Sequence, residues 1–310
     1  MQTLRVFLAA EEGAGVRALQ TVMAAGHQVA GLACSEAAGG PATAARNAGI
    51  PVLAEAEARG EALAAVLRRE QVDLLLNVHS LRILGPEVLE APAIGCFNLH
   101  PGPLPRFAGL NAPSWAIVEG ETHYGCSLHW MTPEVDAGPV AYAAAFEVAA
   151  RETGISLAVK CTKHGLPLVE TLLRDAASGS RLAVPAHEQD LAARRYLQPG
   201  PPYDGRVPWA APAARVDAFV RACTYDPYPS PWGTPATSVA GRTVGIKRLS
   251  ATGRPATEAS GTVGEARTGG VEVAAADEWL LVEAVRVEGE AVPPADVLPR
   301  GARCESAPSP

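Results

Sequence analysis

Several features of common protein classes are missing from this chain of 310 residues. Its six cysteines include no CxxC pair, which argues against a zinc site or a thiol redox motif. No apolar run reaches the roughly 18 residues of a membrane-spanning helix, so no membrane partner is expected. The net charge is −7 and no basic patch is evident, which disfavours proteins that grip DNA or RNA by the phosphates.

A dinucleotide-binding fingerprint is also missing. Gly13 and Gly15 follow the first strand-like run, but their spacing is not GxGxxG, and the spacing to the acidic Glu36 is wrong as well. A plain strand-to-helix turn is therefore the preferred interpretation. The first residues contain neither a basic leader nor a small-residue cleavage site, so a cytoplasmic location is expected.

The hydrophobic fraction of 48% and the order of the predicted elements indicate two folded parts. In the first 150 residues, strand-like and helix-like runs alternate, which predicts an α/β, Rossmann-like parallel sheet covered on both faces. Short β-like runs between glycines and prolines later predict a small β-rich, barrel-like domain. The predicted boundaries are residues 1–195 for the first domain, 196–207 for a Pro- and Gly-rich linker, 208–300 for the second domain and 301–310 for a loose tail.

An Asn-x-His sequence stands at the end of one predicted strand. Side chains alternate along a strand, so Asn98 and His100 are expected on one face, at the carboxyl edge of the sheet, where open α/β folds bind ligands. An Asn amide can donate to an oxyanion, and His can exchange protons near neutral pH. Asp136, in a predicted turn, could orient His100. Each residue alone has an ordinary structural explanation, and so does His129 on the next strand.

Taken together, these motifs resemble the folate-dependent formyltransferases, the family of methionyl-tRNA formyltransferase. The resemblance rests on the Asn98–His100 pair, on Leu104-Pro105 with Gly109, and on an Asp-x-Gly sequence that begins at Asp136. It extends over most of residues 1–290. The stretch 107–116 is most similar to formyltransferases that act on amino sugars or serve peptide natural-product assembly.

The resemblance implies a reaction and a set of roles. The donor would be N10-formyltetrahydrofolate, with no metal, and an amine or hydroxylamine would attack the formyl carbon. Asn98 and His100 would stabilise the oxyanion, and Asp136 would orient His100 and manage the proton of the amine. The folate pocket would be formed by two segments: Leu81, Arg82, Ile83 and Leu84 in the first, and Pro133, Glu134 and Val135 in the second.

Two departures from the family pattern affect the choice of acceptor. The family often has Ser where this chain has Gly102, and its tRNA-modifying members carry a basic segment where residues 37–41 read Ala-Ala-Gly-Gly-Pro. With the negative net charge, this disfavours tRNA and favours a small-molecule amine, free or carrier-bound: an amino acid, a natural-product precursor or a nucleotide amino sugar. A formyltetrahydrofolate hydrolase, a methionyl-tRNA formyltransferase and a non-catalytic binding protein are the alternatives, and the oligomeric state stays open.

Overall fold

The computed structural model describes residues 2–35, 39–178 and 181–307, so that Glu36 and positions 37 and 38 lie outside it. Contacts between Cα atoms divide the chain into two compact units. The first consists of Met1–Ala112, His123–Glu147 and Ala158–Leu197, within the described residues, and the second of Pro113–Thr122, Val148–Leu157 and Gln198–Pro310. Segments of the two units alternate along the chain. The boundaries predicted from the sequence gave each domain one continuous segment instead.

A six-stranded sheet forms the centre of the first unit. Its strands are β1 (Arg5–Ala10), β2 (Gln28–Ala33), β3 (Leu74–Val78), β4 (Gly95–His100), β6 (His123–Trp130) and β7 (Val140–Glu147), in the order β2-β1-β3-β4-β6-β7. The first four strands are parallel, as the alternation of strands and helices predicted, whereas β6 and β7 join antiparallel. The prediction of an α/β, Rossmann-like sheet is confirmed, with a mixed edge in place of a fully parallel one. A pair of two-residue strands lies apart from it: β5 (Ala108–Gly109) and β8 (Tyr196–Leu197).

Helices cover this sheet because each presents an apolar stripe. Their bounds are α1 (Glu12–Ala24), α2 (Gly40–Asn47), α3 (Gly60–Arg69), α4 (Pro86–Leu89) and α6 (Gly154–Ala176), the first turn of α6 belonging to the second unit. Helix α1 buries Ala18, Leu19 and Val22 at helical spacing against the sheet. Burying a leucine or valine completely stabilises a fold by roughly 1.5–3 kcal/mol, so these stripes hold the strand ends in place.

The second unit is built on an antiparallel sheet, which confirms the predicted β-rich part. The strands are β9 (Ala236–Val239), β10 (Arg242–Pro255), β11 (Val263–Arg267), β12 (Gly270–Ala274), β13 (Glu278–Val287) and β14 (Glu290–Val292), in the order β11-β12-β13-β10-β9 with β14 on β13. The helices are α5 (Ala112–Glu119), α7 (Ala213–Ala222) and α8 (Pro294–Val297). Trp209 and Val216 pack with the inward-facing valines of the sheet in one core.

The predicted linker and tail are more ordered than the composition indicated. Within 196–207, Tyr196–Leu197 forms β8, and Val207 is fully buried in the core of the second unit. The tail is held down rather than loose as far as it is described, since the amide of Glu305 bonds to Ser238 and Cys304 is buried; positions 308–310 lie outside the described residues. No helix in the described ranges combines the length and hydropathy that a membrane crossing requires.

Candidate active site

Three polar side chains form a row across neighbouring strands of the first sheet. The register pairs Asn98 on β4 with Asn77 on β3 and with His129 on β6. Residues that stand opposite each other in a sheet point to the same face, so the three side chains meet. The sequence predicted Asn98 at the carboxyl end of its strand. Its partners Asn77 and His129 depend on the strand order, which the sequence does not give.

Asp136 lies beside this row in a turn between β6 and β7. Its φ of 54° is left-handed, a conformation that Asp and Asn adopt more readily than most residues. Gln189 fixes the turn by donating to the carbonyl oxygens of Asp136 at 2.9 Å and of Gly138 at 2.6 Å. The Asp136 carboxylate accepts a hydrogen bond from the backbone amide of Gly109 at 2.9 Å and approaches Asn98 Nδ2 at 3.4 Å. The structure thus brings Asn98 and Asp136 together, although they are 38 positions apart in the sequence.

His100 is 4% exposed, and both of its ring nitrogens face protein atoms. Nδ1 lies 3.6 Å from Asp136 Oδ2, and Nε2 lies 2.6 Å from the carbonyl oxygen of Phe107, to which it donates. Gly102 makes this contact possible, because a Cβ there would stand 2.9 Å from His100 Nε2 and from the Phe107 oxygen. The absence of a side chain at Gly102 therefore leaves room for the imidazole.

His129 belongs to the same cluster and was not among the predicted site residues. It is 2% exposed, and its Nδ1 lies 2.7 Å from the carbonyl oxygen of Trp130. Its Nε2 lies 3.1 Å from Asn98 Nδ2 and 3.4 Å from Asp136 Oδ1. The sequence offered only a histidine on a predicted strand, and the register with Asn98 was needed to place it here.

Burial and the neighbouring charges act on the titration of this cluster. Burial lowers the pKa of His100 below its usual 6.5, and the Asp136 carboxylate opposes that shift only in part. For Asp136, burial favours the neutral acid, but His100, the hydrogen bond from His129 and the Gly109 amide outweigh it and hold the pKa well below the usual range. The site therefore presents the Asp136 carboxylate beside the amide donors of Asn98 and Gly109, an arrangement that suits proton transfer and oxyanion binding.

The first predicted folate segment lines a cavity of about 750 Å³ in the first unit. Leu81 and Ile83 project from its wall and are 75% and 80% exposed, while Leu84 is buried beneath. Arg82 turns inward, donating to the carbonyl of Cys34 at 3.0 Å and to Glu55 Oε2 at 2.9 Å. Leu81 and Ile83 thus leave apolar surface available beside the cavity.

The second predicted segment does not line this cavity. Arg194 binds the Glu134 carboxylate and the carbonyl oxygen of Val135, and Thr132 Oγ1 donates to the carbonyl of Glu134 at 3.0 Å. These contacts shape the turn that carries Asp136. The binding role expected for Pro133, Glu134 and Val135 remains a prediction.

Carboxylates from the start of α1 form another wall of the cavity. Glu11 accepts hydrogen bonds from the amide of Ser35 at 2.6 Å and from its hydroxyl at 2.9 Å. Glu12 lies 3.2 Å from His79 Nδ1, and that hydrogen bond lowers the pKa of Glu12. The N-terminal end of a helix carries the positive end of its dipole and often binds anions. At α1 the carboxylates of Glu11 and Glu12 already lie at that end.

Sequence comparison gives matches along nearly the whole chain. Residues 5–169 match the family model described as formyl transferase, and residues 201–303 match that of the formyl transferase C-terminal domain. A methionyl-tRNA formyltransferase from Anaeromyxobacter dehalogenans is 33% identical over 302 residues, which cover 96% of this chain and 93% of the relative.

Two solved structures share the fold at lower identity. HypX from Aquifex aeolicus, in complex with tetrahydrofolic acid, superposes with a TM-score of 0.68 at 19% identity, covering 96% of this chain and 47% of HypX. An N-formyltransferase from Helicobacter canadensis, in complex with folinic acid and dTDP-3-aminofucose, superposes with a TM-score of 0.65 at 14% identity, covering 91% and 99%. At these identities the likeness establishes the fold alone.

Proposed function

We propose that this chain, which belongs to the folate-dependent formyltransferase family, moves the formyl group of N10-formyltetrahydrofolate to a primary amine or hydroxylamine of a small molecule. Formyl transfer follows from membership in the family, and the acceptor is the part that we infer. Folate compounds are bound in both structural relatives, which supports a reduced folate as the carrier of the formyl group.

The observation that carries the catalytic part of the proposal is the meeting of Asn98 with Asp136. The attacking amine forms a bond to the formyl carbon, and Asn98 Nδ2 donates to the oxygen that becomes negative. The Asp136 carboxylate accepts the proton that the amine must lose and passes it to N10. The bond from the formyl carbon to N10 then breaks, and the carbonyl double bond forms again. No metal takes part in this scheme.

His100 has a more indirect role in this geometry than the family resemblance implied. Its Nε2 donates to the Phe107 carbonyl, so the imidazole would have to leave that oxygen before it could donate to an oxyanion. We therefore assign the first oxyanion contact to Asn98 and the orientation of Asp136 to His100. Leu81 and Ile83, both exposed on the cavity wall, are assigned to the folate ring system.

The cavity assigned to the folate has charges of both signs in its lining. The lining includes the carboxylates of Glu11, Glu12 and Glu55 and the guanidinium groups of Arg59 and Arg82. Arg82 is 2.9 Å from Glu55, which also binds Arg59, so these guanidinium groups are already paired. Glu11 accepts two hydrogen bonds from Ser35, and Glu12 lies 3.2 Å from His79 Nδ1, so these carboxylates have partners as well. The choice of a small amine therefore rests on the negative net charge, and amino acids, natural-product precursors and nucleotide amino sugars are all candidates.

Methionyl-tRNA is the second candidate acceptor. It is supported by the Anaeromyxobacter relative, whose identity of 33% extends over nearly the full length of both chains. The net charge of −7 counts against it. Hydrolysis of the formyl donor by water is the alternative that uses the same residues without an acceptor. A cytoplasmic location stays a prediction.

The deciding experiment follows the conversion of N10-formyltetrahydrofolate to tetrahydrofolate with a panel of acceptors: free amino acids, hydroxyornithine, nucleotide amino sugars and methionyl-tRNA. We expect turnover that requires a small amine and falls about 10²–10³-fold in Asn98→Ala, the usual cost of removing an oxyanion donor. Turnover with methionyl-tRNA alone would replace the small-molecule proposal, and turnover without any acceptor would make the chain a hydrolase.

A further inference from the structure

Asn77 is a polar residue in the middle of an apolar strand. It follows Leu74, Leu75 and Leu76 and precedes Val78 in β3, and it is 5% exposed. An amide in such a place lowers stability unless its hydrogen bonds are complete. Its side-chain oxygen Oδ1 is buried without a hydrogen-bond partner in the part of the chain that the structure describes. A leucine or valine would suit the strand better, so packing alone gives no reason for the amide.

The contacts of Asn77 fix which way its amide points. Nδ2 donates to Asn98 Oδ1 at 2.9 Å and to the carbonyl oxygen of Ser80 at 3.1 Å. The Ser80 carbonyl can only accept, so the opposite orientation of the Asn77 amide would set its oxygen against the Ser80 oxygen. The NH2 group must therefore face Asn98, and the unpartnered oxygen is the cost of that choice.

This contact determines the orientation of Asn98 in turn. Once Asn98 Oδ1 has accepted from Asn77, Asn98 Nδ2 points to the opposite side, where His129 Nε2 lies at 3.1 Å and Asp136 Oδ1 at 3.4 Å. The two ends of an Asn amide have nearly the same shape, and its terminal torsion is soft. Without a donor at position 77, rotation by about 180° would present a carbonyl where a developing oxyanion needs a donor.

We infer that Asn77 is a positioning residue for formyl transfer, which holds the Asn98 amide with its NH2 group toward the reacting oxygen. The inference rests on the proposed function of Asn98. Asn77 acts only through Asn98, and Ser80, which lines the cavity, holds the second hydrogen of the Asn77 amide. The cavity wall and the site are therefore joined by the chain of contacts from Ser80 through Asn77 to Asn98.

The test compares Asn77→Leu with Asn77→Asp, which have nearly the same size. Asn77→Leu removes the donor, and we expect kcat to fall about 10-fold with the KM of the formyl donor changed less than twofold. Ionised Asn77→Asp offers only acceptors and so favours the reversed Asn98 amide, with a loss of about 100-fold. A buried carboxyl has a raised pKa, and its protonated form can donate, so activity relative to wild type should recover as the pH is lowered.

Two controls separate positioning from folding and from the proposed function. Leu76→Val disturbs the same strand without touching Asn98, and should keep kcat within twofold of wild type. The 15N and 1H shifts of the Asn98 side-chain amide, assigned with Asn98→Ala, should move in Asn77→Leu whether or not an acceptor is known. Unchanged shifts, or a folded Asn77→Leu with wild-type kcat, would overturn the inference. If the wild type transferred no formyl group to any acceptor while the Asn98 amide shifts still moved in Asn77→Leu, only the proposed function would be overturned.

Discussion

Replacing Asp136 by Asn tests the centre of the proposed mechanism with the least change in shape. The left-handed backbone at this position suits Asn as well as Asp, and Gln189 holds the turn through main-chain oxygens that the substitution leaves in place. The amide oxygen of the new side chain can still accept from the Gly109 amide. We therefore expect the free energy of unfolding to change by no more than about 2 kcal/mol.

The expected loss of activity is much larger than the loss of stability. Proton transfer by a positioned side chain contributes about 10²–10⁴-fold to a rate. Asp136→Asn removes the ionised acceptor and brings an NH2 group toward Asn98 Nδ2 and His129 Nε2, which lie within 3.4 Å of Asp136 Oδ1. We expect kcat to fall about 10³-fold, equivalent to roughly 4 kcal/mol of barrier, with little change in the KM of the formyl donor.

The assay is the initial rate of tetrahydrofolate formation at saturating donor and acceptor, with urea unfolding of the same preparations. Asp136→Glu is the matched control, because it keeps the charge but moves it by one methylene, and its rate should lie between those of Asp136→Asn and wild type. If Asp136→Asn retained more than a tenth of the wild-type kcat while folded, Asp136 would not be the proton acceptor and the mechanism would be wrong.

Three further predictions concern the neighbours of this carboxylate and the cavity. Gly102→Ser should lower kcat at least about tenfold, since its Cβ would stand 2.9 Å from His100 Nε2; kinetics equal to wild type would contradict the packing. Leu81→Ser and Ile83→Ser should each raise the KM for the formyl donor about tenfold at constant kcat, the value of one apolar contact; unchanged KM would remove both from the folate site. Because burial lowers the pKa of His100 in the folded state, the unfolded chain binds more protons below pH 6.5, and stability should fall from pH 7 to pH 5. His100→Gln should flatten that slope by up to about 1.4 kcal/mol per pH unit in urea unfolding, and an unchanged slope would refute it.

The local pattern of the sequence was enough for the strands and for part of the site. Alternation along β4 predicted that Asn98 and His100 share a face, and the alternation of strand-like and helix-like runs predicted the parallel strands β1 to β4. The same reasoning failed at the sheet edge, where β6 and β7 run antiparallel, because period-2 patterns carry no information about strand direction. The tail from residue 301 was predicted to be loose because it lies at a chain end; between residues 302 and 307 its main chain forms hydrogen bonds to the second unit.

By itself, the sequence determined the family, the order of the elements and the three residues proposed for chemistry, because these depend on residue types at short or characteristic spacings. Tertiary structure alone decided that His129 and Asn77 flank Asn98, since they come from strands 31 and 21 positions away that only the register makes neighbours. It also decided that Glu11 and Glu12 face the cavity and that the two units interleave. Hydrophobic periodicity indicates what is buried, whereas strand order and loop conformation determine which buried groups touch.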